Sequence, residues 1–206
     1  MKNPWEEISL SDYENHMKHG SVMQLQTLNS MTKEQLESYS VKTAMIFGIS
    51  GGNGLDHVKN GMFEKLYGVD INADYLNEVK KRYANLDGML KCLHLDLLNE
   101  SEELPSADFV IANLLVEYIG YSAFKNAVER ANPKYVSCII QINDDTEKWV
   151  SSSPYIHAFD NLGEVHNQMA ENELNSAMEE IGYKLSSQKS VAVPGGKKLV
   201  RLDYSR

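Results

Sequence analysis

The sequence predicts a doubly wound α/β fold, in which a mostly parallel seven-stranded sheet ends in an antiparallel hairpin. Within its 206 residues, strand-like and helical segments alternate four times in succession, which is typical of parallel strands joined by right-handed crossovers. A glycine-rich turn follows the first strand. The last two strand-like segments are joined by Pro194-Gly195-Gly196-Lys197, which predicts the hairpin.

The boundaries of the elements follow from apolar periodicity and from residues that start or stop helices. Strands are predicted at residues 43–47, 66–71, 90–97, 107–113, 135–142, 183–193 and 198–204. Helices are predicted from the glycine turn to about residue 60, over residues 75–83, from the segment after residue 113 to residue 131, and over residues 171–181.

Composition limits the class of protein. A formal net charge of −9 without a basic block argues against nucleic-acid binding, and no apolar run is long enough to predict a membrane span. Acidic residues near the N-terminus, where a signal peptide needs an apolar core, favour a cytoplasmic protein. Without a linker or a repeat, we expect one domain over residues 1–206, with a polar helical cover (1–40) and an α/β core (41–206).

The glycine-rich turn at residues 48–54 is the strongest indication of a binding site. Four glycines occur within these seven positions, and apolar residues then resume at helical spacing. Because glycine has no Cβ, the backbone can turn sharply and a flat ligand can approach closely. A helix that starts here would point free N–H groups at that ligand. We expect a nucleotide or nucleoside site, with a purely connecting turn as the alternative.

Polar residues at the predicted strand ends support this site. Asp70 lies eighteen residues beyond Gly52, which is the spacing at which an acidic residue meets a ribose in such folds. The alternative is that Asp70 caps the next helix. Asp96 ends the third strand and would accept a hydrogen bond from an exocyclic amine such as that of adenine, unless it faces solvent. Asn113 and Asp144 end the fourth and fifth strands.

The predicted cover contains two groups of apolar residues. Those at positions 22, 25, 28 and 31 recur every three residues and indicate an amphipathic helix, which a shorter helix capped by Ser11-Asp12 would precede. In the shorter helix, Tyr13, His16 and Met17 would either close over a ligand or anchor the helix to the core.

Taken together, residues 40 to 205 resemble the class I S-adenosylmethionine-dependent methyltransferases. Four segments carry the resemblance: residues 46–54 (IFGISGGNG), 68–71 (GVDI), 94–97 (HLDL) and 108–115 (DFVIANLL). It implies a Rossmann-like fold and S-adenosyl-L-methionine as the cofactor. The cofactor-binding residues that it implies are Gly48, Ile49, Ser50 and Gly52 near the methionine part, Asp70 and Ile71 at the ribose, Asp96 and Leu97 at the adenine, and Asn113.

Two positions depart from the family pattern. The family usually carries an acid where Ile46 stands and a glycine where Ser50 stands. Both departures concern how the amino group of the cofactor is held. A flanking carboxylate could take that role, but the sequence does not say which one.

Methyl transfer by in-line displacement requires alignment and exclusion of water, with a base only if the acceptor is protonated. We expect no metal. The candidate bases are Glu117, His157 and His166, together with His16, although each also fits a surface or packing role. The candidate substrate residues are Tyr13, His16, Met17, Tyr118 and Tyr121.

A small molecule is the favoured acceptor, and a protein side chain is the second choice. Leu114 and Leu115 follow Asn113 in place of an Asn-Pro-Pro-aromatic motif, which disfavours methylation of amino groups on nucleic-acid bases.

Two other functions stay open. The spacing Gly48-x-x-x-Gly52-x-Gly54 and the pair Tyr121-x-x-x-Lys125 occur in short-chain NAD(P)-dependent oxidoreductases, although that pair should follow the fifth strand rather than precede it. The second alternative is a protein that binds S-adenosylmethionine without catalysis.

Overall fold

A seven-stranded sheet forms the centre of the computed structural model, which describes residues 3–145 and 148–206. In chain order the strands are β1 (Thr43–Phe47), β2 (Lys65–Asp70), β3 (Leu90–His94), β4 (Phe109–Asn113), β5 (Tyr135–Asn143), β6 (Lys184–Val193) and β7 (Lys197–Ser205). They lie in the order β3-β2-β1-β4-β5-β7-β6. Strands β1 to β5 pair in parallel, and β7 pairs antiparallel with β5 and β6. The predicted doubly wound fold with its terminal hairpin is confirmed.

Five α-helices accompany the sheet in the described residues. They are α1 (Leu10–Lys18), α2 (Gln24–Glu37), α3 (Ala73–Arg82), α4 (Val116–Ala131) and α5 (Glu171–Glu180). The first two precede β1 and form the predicted cover. The predicted cap of α1 at Ser11-Asp12 is wrong, because the Ser9 hydroxyl accepts the hydrogen bond from the Asp12 N–H at 3.1 Å. None of these helices combines the length and apolar character that crossing a bilayer requires. The cytoplasmic location and the division at residue 40 stay predictions.

The helix predicted directly after the glycine turn is absent from this described segment, which has only a short 3-10 turn at Leu55–His57. Gly52 and Gly54 have φ angles of 79° and 97°, and Ser50 has a φ of 47°. Left-handed residues interrupt a right-handed helix, and such a conformation at a serine is not visible in the sequence. The apolar spacing that suggested a helix comes from Leu55, the first residue of the short turn, and Val58, which follows it, and both are buried.

The helix α2 of the cover packs on the glycine turn. A Cβ on Gly54 would lie 2.5 Å from Thr32 Cγ2, so glycine permits this close approach. The Asn53 side chain donates a hydrogen bond to the Leu25 carbonyl at 2.9 Å, and the Asn29 amide donates to Asn53 Oδ1 at 3.1 Å. The cover therefore holds the turn from the side away from β2.

The core lies on both faces of the sheet. Successive side chains of a strand point to opposite faces. Accordingly, Met45 and Phe47 of β1 pack with the apolar residues of α4 and α5, whereas Ala44 and Ile46 pack with those of α2 and α3. All four are buried, which explains why this strand is apolar throughout.

A buried polar network joins α2 to the sheet. Gln35 Nε2 donates to Asn113 Oδ1 at 2.9 Å and to Ser137 Oγ at 2.8 Å. The Ser137 hydroxyl donates to Asp203 Oδ1 at 2.5 Å, and Arg201 Nε donates to the same oxygen at 2.8 Å. Because Gln35 is fully buried, its loss would leave polar groups of β4 and β5 without a partner.

We expect Gln35→Ala to lower the free energy of unfolding by about 2–3 kcal/mol, since it leaves buried hydrogen-bonding groups unsatisfied. Urea denaturation measures the change. Lys33→Ala is the control, because Lys33 is an exposed residue of the same helix and should change stability by less than about 0.5 kcal/mol. Equal effects of the two substitutions would contradict a stabilising role for the network.

Candidate functional site

A crevice opens where the direction of the sheet connections reverses, at the carboxyl ends of β1, β2 and β4. Strand β1 pairs with β2 on one side and with β4 on the other, which is the point at which open α/β sheets bind ligands. The crevice encloses about 710 Å³, counted to its open mouth. Seven of the nine predicted cofactor residues line it: Gly48, Ser50, Asp70, Ile71, Asp96, Leu97 and Asn113.

The other two predicted cofactor residues, Ile49 and Gly52, support the turn instead of lining the crevice. Ile49 is buried against Gly68 of β2, where a side chain would clash with it. A Cβ on Gly52 would lie 2.6 Å from Tyr83 Cε2. Neither residue lines the crevice itself, and Ile49 lines the smaller cavity that continues from the turn, so their predicted role in cofactor binding stays a prediction.

Gly48 brings the crevice floor close to the end of β4. Its φ is 68°, and a Cβ there would lie 3.2 Å from Leu115 Cδ1. The N–H groups of Gly48 and Ile49 both donate to the Val69 carbonyl, at 2.9 and 3.0 Å. The side chain of Ile46, where the family carries an acid, points instead into the cluster shared with α2 and α3.

Asp70 stands at the end of β2 with its carboxylate 8% exposed. Oδ2 accepts a hydrogen bond from the Ser50 N–H at 2.8 Å, and Oδ1 accepts one from the Asn72 N–H at 2.9 Å. Burial raises the pKa of Asp70, and these hydrogen bonds oppose the rise. Asn72 caps α3 through the N–H groups of Asp74 and Tyr75, so Asp70 is not the helix cap.

Asp96 lies in the loop after β3, which ends at His94 and is shorter than predicted. Its Oδ1 accepts a hydrogen bond from the Leu98 N–H at 2.9 Å. The side chain of Asp96 is half-buried and lines the crevice beside buried Leu97. Asp96 therefore does not simply face solvent, which was the alternative considered from the sequence.

A second cavity, which we call the chamber, adjoins the crevice. The two share Trp5, Tyr13, Leu114 and Tyr118 as walls. The chamber encloses about 530 Å³, again counted to its mouth. Six of the predicted substrate and base residues line it: Tyr13, His16, Met17, Glu117, Tyr118 and His166.

The N-terminal segment roofs both cavities and is fastened to α3. The Asn72 amide donates to the Trp5 carbonyl at 2.9 Å, and the Tyr75 hydroxyl donates to the Ile8 carbonyl at 3.0 Å. The Glu14 carboxylate pairs with Arg82, with Nη2 and Oε2 3.1 Å apart. These contacts hold the N-terminal segment over both cavities.

Solved structures share this architecture. Magnesium protoporphyrin IX methyltransferase from Synechocystis PCC 6803, solved with bound SAH, superposes with a TM-score of 0.67 and 12% identity over 95% of this chain and 93% of that one. Geranyl diphosphate C-methyltransferase from Streptomyces coelicolor A3(2) gives a TM-score of 0.66 and 13% identity over 90% of this chain and 80% of that one. The N-methyltransferase NodS from Bradyrhizobium japonicum WM9 superposes with a TM-score of 0.65 and 10% identity over 88% of this chain and 96% of that one.

The fold is that of the class I S-adenosylmethionine-dependent methyltransferases. No protein-family model matches the sequence, and no curated protein matches it. At this level of identity the methyltransferase-like fold is shown, whereas the ligand and the reaction have to be argued from the residues of the two cavities.

Two predicted residues, Tyr121 and His157, lie outside both cavities, and their predicted roles find no support in this placement. Tyr121 accepts a hydrogen bond from the Ala170 N–H at 2.9 Å and faces the groove between α4 and α5. The helix is interrupted at Gly120, with φ 72° and ψ 166°, which separates Tyr121 from the helical turn that faces the chamber. His157 is exposed and lies beside Asp160, with Nδ1 and Oδ2 3.3 Å apart.

Glu117 is the acidic group of the chamber. Its Oε1 accepts a hydrogen bond from the Gln141 N–H at 2.6 Å, whereas Oε2 is buried and has no partner among the described residues. Burial raises the pKa of Glu117 to about 7. Burial, with a smaller contribution from Lys197, lowers the pKa of His16 and of His166 to about 4. Both imidazoles are therefore neutral where Glu117 ionises.

Three aromatic walls of the chamber, Trp5, Trp149 and Phe159, were not predicted as site residues. Trp149 stacks on His166 with ring centroids 3.8 Å apart, and Phe159 packs on His16 with centroids 4.4 Å apart. Trp5 meets Tyr118 edge to face at 4.8 Å. Trp5 and Trp149 are more than 140 positions apart, so no local pattern could have joined them. Over the described residues, no group of three His, Cys, Asp or Glu side chains is placed to hold a metal ion.

We expect Glu117→Gln to gain about 2 kcal/mol of stability relative to the native chain when pH rises from about 5 to about 8. The pKa of Glu117 is higher in the folded state than its ordinary 4.5. The stability that its neutral form contributes is therefore complete below that ordinary pKa and is lost as pH rises through about 7. Denaturant unfolding at several pH values measures the difference in free energy of unfolding between the variant and the native chain. The histidines titrate alike in both proteins, so their contribution cancels in this difference.

Glu164→Gln is the matched control, because it removes the same charge from an exposed position. It should follow the native pH profile. Parallel profiles of the native chain and Glu117→Gln would show that Glu117 ionises with an ordinary pKa.

Proposed function

We propose that this protein transfers a methyl group from S-adenosyl-L-methionine to a small molecule held in the chamber. The observation that carries the proposal is the pair of adjoining cavities, one with a buried carboxylate at the end of β2 and one lined by aromatic side chains. The neighbours by fold include methyltransferases solved with S-adenosyl-L-homocysteine (SAH), the demethylated form of the cofactor, which supports this choice of ligand.

The residues of the crevice fit a nucleoside. Each oxygen of Asp70 accepts one backbone hydrogen bond and retains a lone pair, so the carboxylate can still accept both ribose hydroxyls. Asp96 would accept from the adenine amine, with Ile71 and Leu97 against the ring. The methionine part would lie along the crevice wall formed by Gly48, Ser50 and Asn113.

The cover provides a carboxylate where the glycine motif lacks one. Glu14 of α1 lies against Gly51, where a Cβ would collide with its carboxylate. A small cavity bounded by Glu14, Ser50 and Asn113 continues from the turn. We assign the amino group of the cofactor to this place, which compensates for Ile46 on β1.

When bound, S-adenosyl-L-methionine supplies an electrophilic methyl group on a sulfonium sulfur. The task of the chain is to align the acceptor with this group and to exclude water. Trp5, Tyr13 and Tyr118 stand between the crevice and the chamber, so they would position the acceptor and close the reaction space. A small molecule suits this chamber, because it is lined mainly by aromatic and apolar side chains with a few polar groups.

The geometry weighs against a short-chain NAD(P)-dependent oxidoreductase. Tyr121 is bonded to the backbone at Ala170, and Lys125 is paired with Glu180 of α5. Neither residue lines the crevice, so this pair cannot act on a ligand there. The non-catalytic alternative is less well supported, because a mere binder has no need of an adjoining chamber with a buried base.

We expect Asp70→Ala to weaken binding of S-adenosylhomocysteine by at least about 1.5 kcal/mol, roughly tenfold, through loss of charge-assisted hydrogen bonds to the ribose. Titration calorimetry measures the affinity, with circular dichroism to verify that the variant is folded. Asp74→Ala is the control, because Asp74 is exposed on α3 next to the site and should bind normally. Binding of NADH with no response to S-adenosylhomocysteine would overturn the proposal.

We expect S-adenosylhomocysteine to slow amide exchange over α1, because a bound ligand contacts Tyr13 and keeps the roof closed. Hydrogen exchange with mass spectrometry measures the protection. Helix α2 should change little, since its buried network with the sheet is complete without ligand. Unchanged exchange over α1 at saturation would mean that this helix does not cover the bound ligand.

A further inference from the structure

We propose that the acceptor is an amine, held in the chamber in its ammonium form by the Glu117 carboxylate within a box of aromatic side chains. The inference rests on the proposed function, since it names the substrate class of the same site. It is supported by the unpartnered oxygen of Glu117, by the aromatic walls and by the engagement of the other polar groups.

Glu117 gives the chamber a specific demand for a hydrogen-bond donor. Its side chain is 3% exposed, and its Oε2 has no partner within the described part of the chain. A buried acceptor without a partner is costly, and a buried carboxylate more so. An ammonium group supplies both the missing N–H donor and the opposite charge.

The aromatic side chains around Glu117 favour a cation. Trp5, Tyr118, Trp149 and Phe159 all line the same chamber. The electron-rich faces of such rings attract ammonium groups, most strongly where water is excluded. A neutral alcohol could donate a hydrogen bond to Glu117 and pack against the rings, but it would lack the cation–π attraction.

The other polar groups of the chamber offer no positive charge to an anion, because the imidazoles of His16 and His166 are neutral and Gln141 and Lys197 are bonded within the wall. Gln141 Nε2 donates to Asn143 Oδ1 at 2.7 Å and to the Trp149 carbonyl at 2.8 Å. Lys197 Nζ donates to the Trp149 carbonyl at 2.8 Å and to Ser151 Oγ at 3.1 Å. It therefore stabilises the segment that forms this wall without lining the chamber itself. No Lys or Arg side chain lines the chamber among the described residues, and an anion would be repelled by Glu117.

The carboxylate also serves the reaction. An ammonium nitrogen has no free electron pair, so one N–H proton first passes to Glu117 Oε2. The nitrogen lone pair then forms a bond to the methyl carbon while the carbon–sulfur bond breaks and its electron pair stays on sulfur. The products are a methylated ammonium ion and a neutral thioether, and Glu117 then releases its proton to solvent.

Intrinsic fluorescence provides a direct test without the cofactor. The chain contains two tryptophans, Trp5 and Trp149, and both line the chamber. The probes are 2-phenylethylamine, 2-phenylethanol and phenylacetate, which share a ring and differ in charge. At about pH 8 Glu117 is ionised and the amine is protonated. We expect the amine to bind about tenfold more tightly than the alcohol, and phenylacetate to bind most weakly.

Glu117→Gln should reduce the preference for the amine over the alcohol to less than about threefold, because the charge is removed and the shape is kept. Glu164→Gln should retain the full preference, since it makes the same change at an exposed position. Equal binding of amine and alcohol, tightest binding of phenylacetate, no fluorescence response to the amine, or an undiminished preference in Glu117→Gln would each overturn the inference.

Calorimetry with S-adenosylhomocysteine on the same samples separates the two proposals. If S-adenosylhomocysteine binds through Asp70 and the amine shows no preference, the amine inference fails and the methyltransferase proposal stands. If the amine preference is found and S-adenosylhomocysteine does not bind, the proposed function fails, and with it the assignment of the amine as a methyl acceptor.

Discussion

The buried carboxylate of Asp70 is the interaction on which the crevice depends. It joins the glycine turn, through the Ser50 N–H, to the start of α3, through the Asn72 N–H. Ser50 occupies a left-handed conformation that costs a non-glycine residue of order 1 kcal/mol, and the charge-assisted hydrogen bond from its N–H offsets that cost. A serine can therefore stand where the family carries a glycine because Asp70 holds its backbone in place.

The two helices of the cover have different physical roles. Helix α2 contributes buried side chains and a polar network to the sheet, and it packs directly on Gly54. Helix α1 is joined to α3 mainly by contacts at its surface, such as the pair of Glu14 with Arg82. Surface ion pairs contribute little to stability. Helix α1 is also held by buried His16 and Met17, and Met17 packs with Leu28 and Met31 of α2. Helix α1 therefore buries fewer side chains than α2, which buries six.

The sequence predicts what depends on local patterns. Strand periodicity and the polar residues at strand ends predict the sheet, and they place Asp70 and Asn113 at one edge because parallel strands end together. Left-handed Ser50 and the break at Gly120 are not visible in such patterns. The prediction of a helix directly after the turn was therefore wrong, and so was the prediction that Tyr121 faces the site. The walls of the chamber were missed because Trp5, Trp149 and Phe159 meet only through the tertiary fold.

Burial raises the pKa of the acid in the chamber, Glu117, and lowers the pKa of the two imidazoles, His16 and His166. Desolvation keeps His16 and His166 neutral and holds the pKa of Glu117 near 7, so one group can exchange a proton at neutral pH. A charge on Glu117 costs stability in the free protein, and a cationic ligand removes that cost. If the acceptor is the proposed amine, the energy that destabilises the free chamber would be recovered as selectivity for its charge.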